Sequence, residues 1–161
     1  MLLGRERIND LLKAGLIENF SPESLGGAGY DLRLGRMYSI ESDSHLGVRS
    51  RKTPEVKEIE SDSYTLKPGE YVLVETAERL NMPGNLAARV LNRSTVFRCG
   101  CTLVNALVDP GYKGTLTFGL KNLSDKNFTV EVGAKIGQIV FEEVGGETSN
   151  YEGRYQGGKV V

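Results

Sequence analysis

The chain has 161 residues, a length typical of a single domain with its own hydrophobic core. Its 20 basic and 21 acidic residues give a net charge of -1, so no overall basic field favours a nucleic-acid partner. Charges interrupt the N-terminal segment MLLGRERINDLLKAGL, unlike the apolar core of a signal peptide, and no apolar run is long enough for a membrane helix.

These features predict a cytoplasmic protein that binds neither nucleic acid nor membrane. The two cysteines, Cys99 and Cys101, fit that compartment. Two residues apart on a predicted strand, their side chains would share one face but be poorly placed to bridge each other. We therefore expect reduced thiols.

The first predicted element is a short amphipathic helix. Four apolar residues recur there at helical spacing, and Gly15 supplies a stop signal: Ile8, Leu11, Leu12 and Leu16. A loop rich in proline and glycine over 22–29 then leads into the β-like segment GYDLRLGRMYSI. No other segment predicts a helix as clearly.

The remaining signals are short and β-like. A polar, charged segment over 41–62 predicts a long surface excursion. After this segment we predict strands at 64–66, 71–78, 87–92, 101–108, 115–122, 128–132 and 136–144. Turn-forming residues lie at the ends of most of them. Their even spacing predicts a mainly β fold, an antiparallel barrel or jelly roll with a short N-terminal helix. We expect one domain over 1–161, with the glycine-rich residues 146–161 as a flexible tail.

The segment RSTVFRCGCTLVNALVDPGYKGTLTFG, residues 93–119, carries most of the chemistry. Arg93, Ser94 and Arg98 can donate charge-assisted hydrogen bonds to an anion, and guanidinium groups match phosphate oxygens well. Asp109 precedes a Pro-Gly pair that predicts a tight turn with Tyr112 at its far side. The segment therefore predicts a phosphate-and-sugar site, although a basic strand end before an ordinary hairpin turn would carry the same residues.

Four segments together carry a family resemblance: AGYDLRLG at 28–35, NRSTVFRCG at 92–100, VDPGYKGTLTFGLKN at 108–122 and GAKIGQIVFEEV at 133–144. In order and spacing the chain resembles the dCTP deaminase and dUTPase superfamily, most of all the archaeal dUTPase group of its deaminase-like branch. The N-terminal helix and the tail motif NYEGRYQGG also match. The resemblance implies a distorted antiparallel barrel of the dUTPase-like β-clip type, which assembles as a homotrimer with active sites shared between subunits and closed by the C-terminal tail.

The resemblance also implies residue roles. Arg93, Ser94 and Arg98 would hold the triphosphate, with the serine hydroxyl near the bond that is cut. Asp109 would orient the nucleophilic water and touch the sugar 3'-hydroxyl, although aspartate is also a common turn cap. Tyr112 would lie against the deoxyribose and exclude a 2'-hydroxyl, although tyrosine is frequent at strand ends.

Other matching positions have weaker assignments. Asp31 would support the site or simply anchor a turn. Asn105 could read a pyrimidine edge, since its amide offers a donor and an acceptor, or belong to a hairpin. Gln138 would reach the nucleotide or bond to backbone within a strand. Three tail residues would form a lid over the phosphates: Tyr151, Arg154 and Gln156.

One departure from the family pattern bears on the reaction. Deaminases of this superfamily place a glutamate at the position of Gly119, where it activates the water that attacks the cytosine ring. Glycine cannot do this, and the only histidine, His45, lies in the charged excursion without a zinc-binding cluster.

The sequence therefore predicts a dUTP diphosphatase, which forms dUMP and pyrophosphate with Mg²⁺ carried on the triphosphate. The alternatives are a dCTP deaminase, an enzyme with both activities, and a regulatory barrel that binds nucleotide without catalysis. A structural β module without a ligand accounts less well for the arginines and Tyr112.

Overall fold

The computed structural model describes residues 1–161. It contains two helices, α1 (Arg5–Lys13) and α2 (Ser94–Arg98), and a single 3₁₀ turn at Pro22–Ser24. Twelve strands make up the rest of the regular structure: β1 (Ile17–Glu18), β2 (Tyr30–Ile40), β3 (His45–Leu46), β4 (Arg51–Lys52), β5 (Val56–Glu58), β6 (Ser63–Leu66), β7 (Tyr71–Asn81), β8 (Leu86–Asn92), β9 (Cys101–Val104), β10 (Lys113–Asn122), β11 (Phe128–Glu131) and β12 (Lys135–Glu143). No helix is long and apolar enough to span a membrane.

The predicted antiparallel barrel is confirmed. Its main sheet has the strand order β8-β12-β2-β7-β10-β9, and all neighbours pair antiparallel. The two edge strands approach each other, because Ala88 of β8 exchanges backbone hydrogen bonds of 2.9 Å with Val108, beyond the end of β9. Asn92 adds a side-chain bond of 2.6 Å to the backbone N–H of Leu103. The sheet is thereby almost closed into a ring.

The barrel core follows from the alternation of side chains along its strands. In β7 every second residue is buried, which is the period expected for a strand with one face toward the core. One continuous cluster of buried apolar side chains fills the interior and includes Leu32, Val74 and Ile139. The predicted N-terminal helix is confirmed as α1, which buries Ile8 and Leu12 against this cluster.

Three sequence predictions need correction. The strand expected over 101–108 ends at Val104, and only Val108 pairs again, as an isolated bridge. The segment after Arg93 forms the short helix α2, which the sequence pattern did not predict. Cys99 therefore caps a helix rather than sharing a strand with Cys101; both thiols are free, with Cys99 exposed and Cys101 buried. The excursion over 41–62 is largely exposed and forms the small strands β3 to β5.

A buried carboxylate joins the central strands. Glu78 of β7 is inaccessible to solvent and accepts hydrogen bonds from the Tyr30 hydroxyl at 3.2 Å, the Arg33 backbone N–H at 2.9 Å and Arg33 Nε at 2.7 Å. Arg33 in turn donates to the backbone carbonyl of Asn19. The ion pair thus links β2, β7 and the segment after β1.

Replacing Glu78 tests how much this ion pair contributes to the stability of the fold. We expect Glu78→Gln to lower the free energy of unfolding by about 3 kcal/mol, since a buried pair that loses one partner leaves the other charge uncompensated. Urea denaturation would measure the loss. The control is Glu142→Gln, which removes a more exposed ion pair with Arg89 and should cost less than about 1 kcal/mol. Equal losses in the two variants would contradict the assignment.

Candidate active site

The predicted tight turn is present between β9 and β10. The backbone N–H of Tyr112 donates to the carbonyl of Asp109 at 3.3 Å, and Gly111 has a φ of 76°, a left-handed value that favours glycine. The Tyr112 side chain is buried, and its hydroxyl donates to the backbone carbonyl of Thr115. Asp109 and Tyr112 are therefore held on the two sides of one turn.

A cavity of about 450 Å³ lies beside this turn, with mostly hydrophobic walls. Four of the predicted site residues line it: Asn105, Asp109, Tyr112 and Tyr151. Asp109 is the only carboxylate residue among its lining residues. The cavity therefore combines a large apolar surface with a few polar groups, as small-molecule sites commonly do.

Gly119 and Tyr71, a residue that the sequence did not single out, meet at one wall of the cavity. Gly119 pairs with Leu73 across the β10–β7 ladder, which places Tyr71 diagonally opposite the glycine. A Cβ atom on Gly119 would overlap the phenol end of Tyr71 and would lie 2.5 Å from its Cε2. Tyr71 therefore occupies the space that a side chain at position 119 would need. No sequence signal marks Tyr71, because this contact depends on strand register.

The other predicted residues lie outside this cavity. Asp31 forms ion pairs with Arg93 at 3.4 Å and with Lys135 at 3.9 Å, and Gln138 is its cross-strand partner on β12. Ser94 begins α2 beside Arg93. These residues form a polar cluster at the junction of β2, β12 and α2, defined as Asp31, Arg93, Ser94, Lys135 and Gln138. The structure thus places these predicted site residues apart from those that line the cavity.

Arg98 lies at the C-terminal end of α2, exposed to solvent. Its guanidinium carbon lies 5.0 Å from the centroid of the Phe97 ring, which is itself 54% exposed. The arginine therefore has a cation–π contact but no carboxylate partner. It remains available to an anion.

The C-terminal segment packs against the turn. Gln156 Oε1 accepts from the backbone N–H of Lys113 at 2.7 Å, and its Nε2 donates to the carbonyl of Gly111 at 3.1 Å. The Tyr151 ring meets Tyr112 edge-on, with ring centroids 5.5 Å apart. Arg154 points elsewhere and donates to Thr53 Oγ1 at 3.1 Å. The tail thus brings Tyr151 and Gln156 to the turn, whereas the mobility expected for it stays a prediction.

Comparison with known proteins identifies the family of this chain. Residues 2–144 match the family model described as dCTP deaminase-like. The chain belongs to the dCTP deaminase-like family. It is 38% identical over 145 residues to the dCTP deaminase of Thermococcus kodakarensis, a match that covers 89% of this chain and 86% of that one. The resemblance seen in the four sequence segments is confirmed.

Solved structures show the same fold. The 2'-deoxycytidine 5'-triphosphate deaminase of Agrobacterium tumefaciens superposes with a TM-score of 0.73 at 18% identity and covers 89% of this chain; the match spans 48% of that protein. The dUTPase of Staphylococcus bacteriophage 80alpha superposes with a TM-score of 0.54 at 16% identity, over 85% of this chain and 95% of the phage protein. The dCTP deaminase-like chain therefore shares its barrel with proteins of both names.

Burial raises the pKa of two tyrosines that line the cavity, Tyr112 and Tyr71. Burial raises the pKa of Tyr112 to about 12, and the nearby Tyr151 hydroxyl acts in the same direction. Burial also raises the pKa of Tyr71. Both phenols are therefore neutral at physiological pH and can donate hydrogen bonds.

The Tyr112 shift predicts an alkaline loss of stability. Tyr112 favours its neutral form in the folded protein, whereas a tyrosine in the unfolded chain ionises near pH 10. Its contribution to the free energy of unfolding is therefore complete below pH 10 and is lost as the pH rises towards about 12. We expect the stability difference between wild type and Tyr112→Phe to shrink across this window in urea denaturation. Tyr155→Phe, at an exposed tail position, is the control. A constant difference from pH 9 to 12 would contradict the assignment.

Proposed function

We propose that this deaminase-like chain is a dUTP diphosphatase, which hydrolyses dUTP to dUMP and pyrophosphate. The observation that carries the proposal is the Gly119–Tyr71 pair. The glutamate expected of a deaminase at position 119 is missing, and the phenol of Tyr71 takes up the space next to it. Asp109 is the only carboxylate residue that lines the cavity, and it lies on the turn that also holds Tyr112.

Asp109 would act as the general base for the attacking water. Water attacks the α-phosphorus, the new P–O bond forms, and the bond to the bridging oxygen breaks to release pyrophosphate. Asp109 accepts the proton that the water loses. Tyr112, buried beside this carboxylate, would pack against the deoxyribose and leave no room for a 2'-hydroxyl.

The phosphate-binding residues would come from a neighbouring copy. Arg93, Ser94 and Arg98 do not line the cavity of their own chain. Exposed apolar side chains lie near both groups, on β8, α2 and the segment around β9: Leu91, Phe97, Val104 and Leu107. Burying such a patch between copies is the usual way to remove it from water. A homotrimer with shared sites would place Arg93, Ser94 and Arg98 of one subunit beside the cavity of the next.

Mg²⁺ would arrive with the substrate. The chain has no group of three or more His, Cys, Asp or Glu side chains placed to hold a metal ion. We propose that the ion would be held mainly by the triphosphate and water, with Asp31 as a supporting carboxylate. Bound there, Mg²⁺ would neutralise phosphate charge.

A dCTP deaminase, alone or combined with the diphosphatase activity, is the second candidate. It is favoured by the 38% identical relative from Thermococcus kodakarensis, which is named a dCTP deaminase. That reaction would need another carboxylate near the base. Glu142 and Glu143 lie on β12 outside the cavity, and Glu142 is paired with Arg89.

Product analysis separates these functions. With Mg²⁺, we expect dUTP to yield pyrophosphate and dUMP, and dCTP to yield no ammonia. Enzymatic pyrophosphate and ammonia assays would measure both products. Ammonia from dCTP would contradict the diphosphatase proposal, and ammonia with pyrophosphate would indicate both activities. If neither product forms but dUTP raises Tm, the chain is a nucleotide-binding barrel, since ligand binding to the native state stabilises it.

Asp109→Asn tests the catalytic role. Since the amide cannot accept the proton, we expect kcat for dUTP to fall by about 10²- to 10⁴-fold while the affinity for a non-hydrolysable dUTP analogue is largely kept. Steady-state kinetics and calorimetry would measure the two quantities. The control is Asp125→Asn, at an exposed aspartate outside the cavity. Full activity in Asp109→Asn would assign the base elsewhere, with Asp31 next to be replaced.

A further inference from the structure

Lys135 is a member of the polar cluster that the sequence patterns did not single out. It lies at the start of β12, opposite Arg33 of β2. Between Lys135 and Gly137 strand β12 has one extra residue relative to β2, and such a bulge shifts the alternation of side chains by one position. The Lys135 side chain therefore shares the face of Asp31, where it is 28% exposed.

A backbone contact holds the ammonium group of Lys135. Its Nζ donates to the carbonyl of Glu23 at 3.0 Å, in the 3₁₀ turn that precedes β2, and lies 3.9 Å from Oδ2 of Asp31. Arg33, the cross-strand neighbour, pairs with the buried Glu78 at 2.7 Å and so does not compete for Asp31. Lys135 is therefore a fixed cation beside one oxygen of Asp31.

The two oxygens of Asp31 face different cations. Oδ1 lies 3.4 Å from Nε of Arg93, whereas Oδ2 faces Lys135. Because Nε is the nitrogen nearest the arginine stem, this contact leaves the two terminal nitrogens of Arg93 without a partner in the chain. Terminal guanidinium N–H groups are well suited to phosphate oxygens. Arg93 is thus held at its stem, and its terminal N–H groups remain available to an anion.

Asp31 is also a competitor for the same arginine. A carboxylate and a guanidinium pair most strongly in the bidentate arrangement, in which both oxygens accept hydrogen bonds from two nitrogens. That arrangement needs Oδ2 of Asp31 as well as Oδ1, and it would occupy a terminal nitrogen of Arg93. The ammonium of Lys135 beside Oδ2 favours the observed arrangement, in which only Oδ1 faces the arginine.

We propose that Lys135 is a positioning residue, which occupies one oxygen of Asp31 and thereby keeps the terminal N–H groups of Arg93 available to the phosphate chain of the substrate. This inference rests on the proposed function, in which Arg93 contacts the triphosphate. The effect of Lys135 passes through Asp31. This dependence distinguishes Lys135 from a lysine that simply attracts phosphate.

A double-mutant cycle on Lys135 and Asp31 tests the proposal. Calorimetry with the full chain and Mg²⁺ would measure the affinity for the imido analogue of dUTP. We expect Lys135→Met to bind this analogue about three- to tenfold more weakly, the effect of losing one hydrogen bond to it. In the Asp31→Asn background, Lys135→Met should cause no further loss, because the carboxylate that Lys135 restrains is gone. Equal losses in the two backgrounds would overturn the proposal and make Lys135 a direct phosphate contact.

Two matched variants test whether the charge and its place both matter. Lys135→Arg keeps a cation beside Asp31 and should bind the analogue as wild type does. Lys126→Met removes an exposed lysine that pairs with Asp125, and it should also keep the wild-type affinity. A loss in either variant as large as that in Lys135→Met would contradict the assignment.

Urea denaturation separates this role from a structural one. We expect Lys135→Met to lose affinity while the free energy of unfolding falls by less than about 1 kcal/mol, since its ion pair is partly exposed. If Lys135→Met instead lowers the free energy of unfolding and keeps the wild-type affinity, the residue is only structural and the proposal fails.

The same measurements distinguish this inference from the proposed function. If wild type neither binds the analogue nor releases pyrophosphate from dUTP, both fail together. If wild type hydrolyses dUTP and Lys135→Met binds the analogue as tightly as wild type, only the role of Lys135 fails. Arg93→Met removes the guanidinium itself and should lose at least as much affinity as Lys135→Met. An unchanged affinity in Arg93→Met would overturn the phosphate contact on which the role of Lys135 depends.

Discussion

The bending of the barrel strands depends on irregular strand pairing around Thr76 of β7. The pairing of β7 is irregular there on both sides: β2 has one extra residue between Leu34 and Arg36, and β7 itself has the extra residues opposite the step from Thr115 to Thr117. The Thr76 hydroxyl accepts from the Leu116 backbone N–H at 3.0 Å, an amide next to the bulge, and donates to the Glu78 carbonyl at 2.8 Å. On the other side, a Cβ on Gly35 would lie 2.9 Å from the Thr76 backbone, so only glycine permits this approach. A bulge bends the strand that carries the extra residue, so these irregularities bend β2 and β7 at the level of Thr76.

The apolar cavity and the polar cluster lie on different strands of the barrel. The cavity lies against β7 and β10, whereas the polar cluster lies across β2 and β12. Within that cluster Asp31 forms ion pairs with Arg93 and Lys135, which would orient the arginine for the proposed phosphate contact. A nucleotide triphosphate has the same division between an apolar base with its sugar and a charged phosphate chain. If the cavity of one subunit faced the polar cluster of the next, these two surfaces would match the two parts of the proposed nucleotide. Neither part of the barrel would need to move.

Sequence reasoning found what local patterns encode. Apolar spacing predicted α1, alternation predicted β7, and the Asp-Pro-Gly order predicted the turn before Tyr112. It missed α2, since Thr95, Val96 and Phe97 favour strands and a five-residue helix shows no periodicity. The apolar run after Cys101 predicted a strand that is too long. The strand ends at Val104, and Leu107 is exposed rather than paired in the sheet. The separation of Arg93 from Asp109, and the contact of Tyr71 with Gly119, depend on strand order and register, which no short motif carries.

Family membership leaves the reaction open, because proteins named deaminase and dUTPase share this barrel. At position 119, where a deaminase of this superfamily is expected to have a glutamate, this chain has Gly119 packed against Tyr71. Had Gly119 merely lost a carboxylate, the space would remain and a single substitution could refill it. Instead the Tyr71 phenol occupies that space, so a side chain at position 119 and the present Tyr71 rotamer exclude each other. A side chain at position 119 would therefore require the Tyr71 ring to rotate away or a smaller residue at position 71.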